Sequence, residues 1–323
     1  MRDTERQIFG QIYNTRYSYD SVGRFRDIYY PHQGGRQRIN YVYTGDSVRL
    51  VRHIPKEQPA LTLWERGQRD RAGRLEGFTL GNGRVAARAY DPTTGRRLEE
   101  NHADAFNEAY EYTSDGVLNR IVEAQGRTEE FEFDYLSRPT QWNQTYTGTG
   151  GSSVSIATEY DYHPSTGNLE LRRRLTKAGE EARTEFLYDG GHQIAKWEDF
   201  VGGTGTGLSY AEHDSRGRRE SSSRWTAIVY TSFDLPRSME STDGSIQAEF
   251  LYDAFGQRVA RNVNGARTIT AGAYRSENFG KLHIHAVMGP EGPIAELRVD
   301  DDSGESSYHY LHRNYRGDTL AVS

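Results

Sequence analysis

The histidines are the residues whose type and spacing come closest to a metal site. His283 and His285 alternate along one run, and His309 and His312 form a second group. Imidazole nitrogens bind zinc, and a second strand could complete a ligand set. The 323 residues contain no cysteine, which excludes disulfides, thiolate nucleophiles and cysteine-ligated zinc. We therefore favour exposed or hydrogen-bonded strand histidines over a metal site.

Two further stretches resemble ligand-binding loops. Asp300-Asp301-Asp302-Ser303-Gly304 matches half of a calcium loop but lacks the distal glutamate at the required spacing. A solvated hairpin tip is the favoured interpretation. The run GGTGTG at 202–207 has glycines that could cradle a phosphate, but such a loop needs a buried strand before it and a helix after it. The sequence that follows predicts another strand and turn instead.

The adjacent carboxylates do not form a ready acid and base couple. Glu99 and Glu100, like Glu129 and Glu130, are neighbours in sequence and so point to opposite faces of a strand. No serine lies in a Gly-x-Ser-x-Gly turn. The sequence thus predicts no catalytic, cofactor-binding or metal-binding residue and no enzyme. An enzyme on a β scaffold, such as a glycosidase, would need a non-repetitive stretch in which charges converge.

A short unit that recurs along the chain must position all of these residues. In FLYDAFGQRVARNVNG, residues 250–265, two aromatics two residues apart precede Asp, two spacers and Gly, which suits a strand followed by a type I turn. Arginine often follows the glycine, where we interpret it as solvated or stacked on tyrosine. The residues that carry the motif are Tyr19, Asp20, Gly23, Arg24, Asp70, Gly73, Arg74, Tyr90, Asp91, Gly95, Tyr188, Asp189, Asp214, Gly217, Tyr252, Asp253 and Gly256.

The aromatic spacing predicts an all-β protein. A helix would need spacings of three and four, whereas these pairs are two residues apart. Stacked hairpins would then bring the rings opposite one another. The pairs are Tyr17/Tyr19, Tyr41/Tyr43, Tyr110/Tyr112, Phe131/Phe133, Tyr160/Tyr162, Phe186/Tyr188, Phe250/Tyr252 and Tyr308/Tyr310.

The step between turns is about 21–29 residues, which is typical of a repeat architecture. We predict a single array over residues 1–323, folded as an antiparallel hairpin ribbon. Hydrophobic content of 35% with 22 tyrosines fits a thin wall better than one large core. A break in the pairing is predicted near 52–64, and loop insertions are predicted near 145–155 and 201–209.

The net charge, the absence of a long apolar run and the N-terminal stretch limit the binding partners and the localisation that we expect. A formal net charge of −6 argues against a nucleic-acid partner held by counterion release. No apolar run reaches the length of a membrane span, and the start MRDTERQIFG shows no signal peptide. No cofactor is expected.

Several of these repeat units resemble those of a known family. The stretches YDSVGR, LGNGRVAARAYDPTTGRRL and YDAFGQRVARNVNG are similar to the YD repeats of bacterial Rhs proteins, of the B and C subunits of Tc toxins and, more distantly, of teneurins. Near the C-terminus, Tyr310-Leu311-His312 and Gly317 resemble the approach to the Rhs-associated core, whereas Arg316 replaces the usual apolar residue. The resemblance covers nearly the whole chain.

The resemblance implies a ribbon that spirals into a hollow shell around a cytotoxic polypeptide. In such families a core segment with self-cleavage residues closes the shell, and it would begin after Ser323. The expected function is a non-catalytic shell segment, secreted or displayed at the cell surface within a larger assembly. Its expected partners are the rest of the shell and a toxin cargo. The alternative is a cell-surface module that binds glycans or proteins through exposed tyrosines and loop tips.

Overall fold

The computed structural model describes residues 1–31, 37–56, 58–147, 151–277 and 280–323, and in this part of the chain there is no α-helix. Consequently none of the described segments is a helix that could cross a membrane. The described strands are β1 Arg2–Ile8, β2 Gln11–Tyr19, β3 Phe25–Tyr29, β4 Arg38–Thr44, β5 Ser47–Ile54, β6 Leu61–Arg66, β7 Gly77–Leu80, β8 Val85–Tyr90, β9 Arg97–His102, β10 Phe106–Tyr112, β11 Leu118–Glu123, β12 Thr128–Phe133, β13 Pro139–Thr147, β14 Ser153–Tyr162, β15 Leu169–Thr176, β16 Gly179–Tyr188, β17 Ile194–Val201, β18 Thr204–His213, β19 Arg219–Ser222, β20 Trp225–Tyr230, β21 Pro236–Ser241, β22 Gln247–Tyr252, β23 Arg258–Val263, β24 Ala266–Ala271, β25 Tyr274–Glu277, β26 Leu282–Gly289, β27 Gly292–Asp300, β28 Ser306–Arg313 and β29 Thr319–Val322.

The strands form two antiparallel sheets of 19 and 10 strands, built from successive hairpins. The all-β prediction is confirmed, and all eight aromatic pairs lie in strands. The register shifts by one residue beside the tyrosine position of many hairpins, for example between Ser18 and Tyr19 and between Ala89 and Tyr90. Such β-bulges increase the local twist, so the irregularity recurs with the repeat.

The described residues divide into two compact units. The first unit contains residues 1–107 and 250–323, and the second contains residues 108–249. The first unit is layered, because the buried side chains of β4 to β6 and of β26 and β27 belong to one hydrophobic cluster. Ile39, Leu63, Trp64 and Leu297 are almost fully buried in it.

The second unit contains no member of that cluster among its described residues. Its strands β12 to β17 have one face rich in aromatic side chains, since the register places Phe131 opposite Trp142 and Phe186 opposite Trp197. Alternate residues carry ion pairs on the other face, such as Arg173 with Glu159. Most side chains on these strands are only half-buried. This unit is therefore stabilised by strand pairing and cross-strand contacts more than by a deep core.

Three predictions about interruptions can be compared with the structure. Pairing continues across the predicted break at 52–64, because β5 and β6 align Val51 with Trp64 and His53 with Leu61. In the run at 201–209 only the positions between Val201 and Thr204 are loop, and the following residues extend β18. The insertion predicted at 145–155 lies partly outside the described residues.

The turn glycines adopt the conformation that the sequence predicts. Gly73 has a φ of 82° and Gly256 a φ of 75°, in the left-handed region that side chains with a Cβ rarely adopt. Each amide donates back to the turn aspartate carbonyl three residues earlier, which closes the turn. Ser137 occupies the equivalent position in its own turn at a φ of 60°. Because serine has a Cβ, this left-handed conformation strains the backbone at Ser137, whereas it does not at the glycines of the other turns.

Substitutions at the glycine position of two turns measure how much the left-handed backbone conformation contributes to the free energy of unfolding. Nothing lies within 4 Å of a Cβ placed at Gly73, so Gly73→Ala should cost only the backbone penalty of about 1–2 kcal/mol. The reverse change, Ser137→Gly, should raise the free energy of unfolding by about 0.5–1 kcal/mol. Urea denaturation of the two variants and the parent measures both values. Equal midpoints for all three proteins would contradict the turn assignment.

Candidate functional site

The aspartate at the start of each turn holds the turn closed through its side chain. One carboxylate oxygen of Asp20 accepts hydrogen bonds from the amides of Val22 and Arg24, at 3.0 and 2.9 Å. The same pattern recurs at Asp134, at Asp214 and at Asp253. The carboxylate thereby satisfies amides that the tight turn leaves without a strand partner.

The arginine four residues after the aspartate binds the second carboxylate oxygen. The Nε atoms of Arg24, Arg138 and Arg218 lie 2.7, 2.7 and 2.6 Å from Oδ2 of their aspartates. Partial desolvation raises the pKa of Asp20, but hydrogen bonds from the backbone and guanidinium of Arg24 outweigh it and lower that pKa. At Asp214 the hydrogen bond from Arg218 is the largest cause of the lowered pKa. Asp20 and Asp214 are therefore ionised, and they act as acceptors rather than as proton donors.

The same arginine connects its turn to a tyrosine of the following repeat. The guanidinium carbon lies over the ring at 4.3 Å for Arg24 and Tyr43 and at 4.8 Å for Arg74 and Tyr90. It lies at 4.3 Å for Arg138 and Tyr162 and at 4.7 Å for Arg218 and Tyr230. These distances are those of cation–π contacts, and they agree with the tyrosine-stacking interpretation of the repeat arginines.

The tyrosine hydroxyl completes the connection between repeats. Tyr162 donates to the carbonyl of Pro139 at 2.9 Å, and Tyr230 donates to the carbonyl of Arg219 at 2.7 Å. In both cases the acceptor is the residue after the stacked arginine. Aspartate, arginine and tyrosine thus form one unit, called here the turn clamp, that links each turn to the next strand pair.

The structure places the predicted motif residues in these turns. The tyrosines end strands, and the other residues form the connections after β2, β6, β8, β16, β18 and β22. The residues concerned are Tyr19, Asp20, Gly23 and Arg24; Asp70, Gly73 and Arg74; Tyr90, Asp91 and Gly95; Tyr188 and Asp189; Asp214 and Gly217; and Tyr252, Asp253 and Gly256. Asp189 and Asp253 have glutamine rather than arginine four residues later.

Other residue types replace the aspartate at several turns. The side chains of Thr113, His163 and Asn314 accept hydrogen bonds from the amides of their own turns. Thr231 does the same for Leu235, in a turn that the sequence analysis missed. In that turn Asp234 has a φ of 64° where the motif has glycine, so the expected signal was absent. Tyr230 directly before it and Pro236 after it were the remaining signals.

Glu100 is a charged residue of the first unit whose side chain is fully buried. It accepts hydrogen bonds from Nε of Arg88 at 2.8 Å, from Arg97, and from Nε2 of His102 at 3.1 Å. Burial raises the pKa of Glu100, but the hydrogen bond from His102 and the charges of both arginines outweigh it and lower that pKa. Glu99 is exposed, so the adjacent glutamates point to opposite faces as predicted.

A chain of polar contacts continues from Glu100 through two buried imidazoles. Nδ1 of His102 lies 3.3 Å from Nδ1 of His312, and Nε2 of His312 lies 2.7 Å from the Ser323 hydroxyl. One proton between the two Nδ1 atoms allows a hydrogen bond, whereas two N–H groups would repel. Burial and the nearby His102 and Arg84 lower the pKa of His312 to about 4.

The remaining histidines singled out by the sequence lie in strands, where His283 and His309 are hydrogen-bonded and His285 makes ring contacts. His283 lies 2.7 Å from the Tyr274 hydroxyl and 3.0 Å from the Asp301 carboxylate. His285 packs against the Tyr30 ring, and His309 contacts Ser307. Within the described ranges, no group of three or more histidine and carboxylate side chains is arranged to hold a metal.

The acidic stretch 300–304 forms the hairpin tip that the sequence favours. It connects β27 to β28, and the Gly304 amide donates to the Asp300 carbonyl at 2.9 Å. The Asp302 carboxylate pairs with Lys281 at 2.8 Å. Two of the three carboxylates, those of Asp301 and Asp302, therefore bind side chains of the neighbouring β26 region.

Arg88, Arg97 and His102 also line a cleft in the first unit, of about 280 Å³. Trp64 and Phe78 form its apolar floor. Its opposite side consists of the turn at 290–293 and the turn at 314–317. No local sequence pattern marks this cleft, because its residues come from strands far apart in the chain.

Comparison with known proteins finds similarity at the level of the fold. No protein-family model and no curated protein sequence matches the chain. Among solved structures, the TcdB2–TccC3 complex without its hypervariable C-terminal region aligns with a TM-score of 0.66 and 13% identity, over 96% of this chain. The TcdB2–TccC3–TEV structure aligns with a TM-score of 0.61 and 12% identity, over 95% of this chain. A Tc holotoxin pore of Photorhabdus luminescens aligns with a TM-score of 0.60 and 13% identity.

These similarities define the class of fold: an antiparallel hairpin ribbon of the kind found in Tc toxin chains. The aligned region is about 17% of each of those chains, so this chain corresponds to a small part of their length.

The turn clamp should produce a measurable coupling between repeats. We expect Arg138→Gln and Tyr162→Leu each to destabilise the protein, and the double variant to lose less than the sum. The difference should be about 0.5–1 kcal/mol, the value of a partly exposed cation–π contact. Urea denaturation of the four proteins measures it. Arg138 with Tyr188 is the control pair and should show additive effects, and a clamp pair that is equally additive would count against the clamp.

Acidification should destabilise the first unit through its buried histidines. Burial lowers the pKa of His53 to about 4, and His312 has a similar value. The unfolded chain binds protons near pH 6.5, so unfolding takes up protons and stability falls as the pH drops from 6.5 towards 4. We expect a loss on the order of 1 kcal/mol per histidine by pH 5.

The variants His53→Gln and His312→Gln separate this effect from general acid denaturation. Each should be less stable at pH 7.5 and should show a smaller further loss between pH 7 and pH 5. His192→Gln, at an exposed position, is the matched control and should keep the parent's pH dependence. Parallel pH profiles for all four proteins would show that the buried histidines are not responsible.

Proposed function

We propose that this chain is a non-catalytic wall segment of a larger hairpin-ribbon assembly that encloses and delivers a toxin polypeptide. The observation that carries the proposal is the turn clamp. The clamp recurs at Asp20, Asp70, Asp134 and Asp214, and so occurs in both compact units. A contact repeated in this way serves to hold successive hairpins together along the chain.

Because of the turn clamp, each repeat is stabilised mainly by contacts with the neighbouring repeat. Each turn contacts the next repeat, so a ribbon of such units can be extended by further units without a central core. The second unit illustrates this, since its strands β10 to β19 pair in succession while most side chains of β12 to β17 remain half-buried. A sheet of this kind separates two spaces, and its aromatic face differs from its charged face. These are properties that a container wall requires.

The buried charges support a structural role rather than catalysis. Glu100 is bound by Arg88, Arg97 and His102. Asp27 is equally buried, and hydrogen bonds from Ser18 and Asn40 and from two arginines outweigh its desolvation and lower its pKa. A general acid or base needs a pKa near the working pH and access to a substrate. Both carboxylates instead have lowered pKa values and fixed partners.

The fold similarity supports the larger assembly. The chain aligns with about one sixth of each Tc toxin chain, over nearly all of its own length. We propose that it acts together with further ribbon, and that the complete assembly is secreted or displayed at the cell surface. The fold similarity does not favour the alternative, a cell-surface module that binds glycans or proteins.

A protease-protection experiment tests encapsulation. The chain is co-expressed with the reading frames adjacent to its gene, and the purified product is treated with a nonspecific protease. We expect a neighbouring polypeptide to copurify and to resist digestion until the wall is denatured. The wall variant Gly73→Val, with a distorted turn, should expose it at lower denaturant concentration, whereas Lys177→Ala at an exposed turn should not.

Two results would overturn the proposal. One is a neighbouring polypeptide that is digested at the same rate with and without this chain. The other is a hydrolytic activity of the purified chain that a single substitution abolishes. The intact mass of the purified chain, followed over days, should also remain constant.

A further inference from the structure

The cleft of the first unit has more positive than negative charge and a cation without a counter-ion. Four arginines line it, Arg88, Arg97, Arg313 and Arg316. Arg88 and Arg97 share Glu100, Arg88 also binds Glu291, and Arg316 pairs with Asp318 at 3.3 Å. Arg313 forms no ion pair with any described residue.

Arg313 is held in place although its charge is not neutralised. Its Nε donates to the Gly317 carbonyl at 2.9 Å, and its Nη1 lies against Gly292, where a Cβ would be only 2.4 Å away. Gly292 has a φ of 120°, a backbone conformation that favours glycine. The guanidinium is therefore fixed between the two turns of the cleft and retains N–H groups that can bind a carboxylate.

The other surfaces of the cleft are apolar or aromatic. Trp64, Phe78 and Ile294 have at most 8% of their surface exposed and form the floor. Tyr315 forms the rim with 45% exposure, and the Arg97 guanidinium lies 5.7 Å from its ring centroid. An apolar floor beside a fixed cation suits a ligand in which an apolar group lies next to a carboxylate.

The size and shape of the cleft favour a peptide over a whole small molecule. Its volume of about 280 Å³ is below the roughly 300–1,000 Å³ of pockets that enclose a drug-sized ligand. Glu291 and Tyr315 leave the rim open between the two turns, since both are exposed at the surface. An extended chain could pass between the turns and place one apolar and one acidic side chain in the cleft.

We propose that this cleft binds an acidic peptide segment, with an apolar side chain on the Trp64 floor and the neighbouring carboxylate on Arg313. Forming the ion pair would neutralise the unpaired guanidinium in a half-buried site, where such pairs are stronger than at the open surface. The inference does not depend on the container function, because it concerns only the first unit.

Calorimetric titration of the full chain tests the site with defined peptides. The probe is acetyl-Gly-Phe-Asp-Gly-amide, and its matched control has asparagine in place of aspartate. We expect the aspartate peptide to bind at least tenfold more tightly than the asparagine peptide, and its affinity to fall as salt is added. Succinate supplies a carboxylate without the apolar group and should bind at least tenfold more weakly.

Variants locate the binding. Arg313→Gln should weaken the aspartate peptide at least tenfold and leave the asparagine peptide unchanged. Arg120→Gln, an exposed arginine of the second unit that pairs with Glu111 and Glu130, is the control and should bind like the parent. Should Arg313→Gln lower the melting temperature, the more exposed Arg316→Gln takes its place, with an expected loss of severalfold.

The outcomes are decisive in both directions. Equal affinities for the aspartate and asparagine peptides, or no binding of either, would overturn the proposal. Succinate binding as tight as that of the peptide would overturn the peptide as the ligand class. Unchanged affinity in a folded Arg313→Gln variant would place the binding elsewhere and overturn the site.

Discussion

The rest of the structure depends on the side-chain acceptor at the start of the repeat turns, which in the turn clamp is a carboxylate. A tight turn with a left-handed residue leaves backbone amides without strand partners, and one aspartate oxygen accepts two of them. The second oxygen is then free to bind the arginine that follows. Because that arginine stacks on a tyrosine of the next repeat, local turn chemistry determines the contact between repeats. The spacing of aspartate, glycine and arginine thus has a physical cause at every position.

The two units show how the same repeat meets two different requirements. In the first unit β4 to β6 share a hydrophobic cluster with β26 and β27, which fills the interior with large side chains such as Trp64 and Leu297. The second unit has no share in that cluster among its described residues, and it is held by register, ion pairs and ring contacts such as Phe131 on Trp142. The turn clamp is compatible with both units, the one with the hydrophobic cluster and the one without it, because the clamp lies in the turns and does not require a core beneath it.

The sequence predicted what is local and missed what depends on distant segments. The spacing of Phe250 and Tyr252 identifies a strand, and the aspartate and glycine after it identify the turn, because both follow from backbone geometry over a few residues. The division into two units was not predictable in this way, since residues 1–107 join residues 250–323 through contacts that leave no local pattern. The contacts around Glu100 were not predictable for the same reason. Its partner His102 is close in sequence, but His102 in turn contacts His312, which is 210 residues further along the chain. The turn at Thr231 was missed because Asp234 occupies the glycine position.

The turn at Asn314 connects the repeat chemistry with the cleft. There asparagine replaces the aspartate, and Asp318 occupies the place of the clamp arginine. Asn314 is neutral, so the first position of this turn has no carboxylate to bind a guanidinium. An arginine instead precedes the turn, at Arg313, and its Nε is bound to the turn carbonyl of Gly317. In the turns at Asp20, Asp70, Asp134 and Asp214 the guanidinium is neutralised by the turn aspartate, whereas the charge of Arg313 remains available. A few exchanges of residue type within the repeat therefore remove the clamp arginine from this turn and place a different arginine, Arg313, beside the cleft.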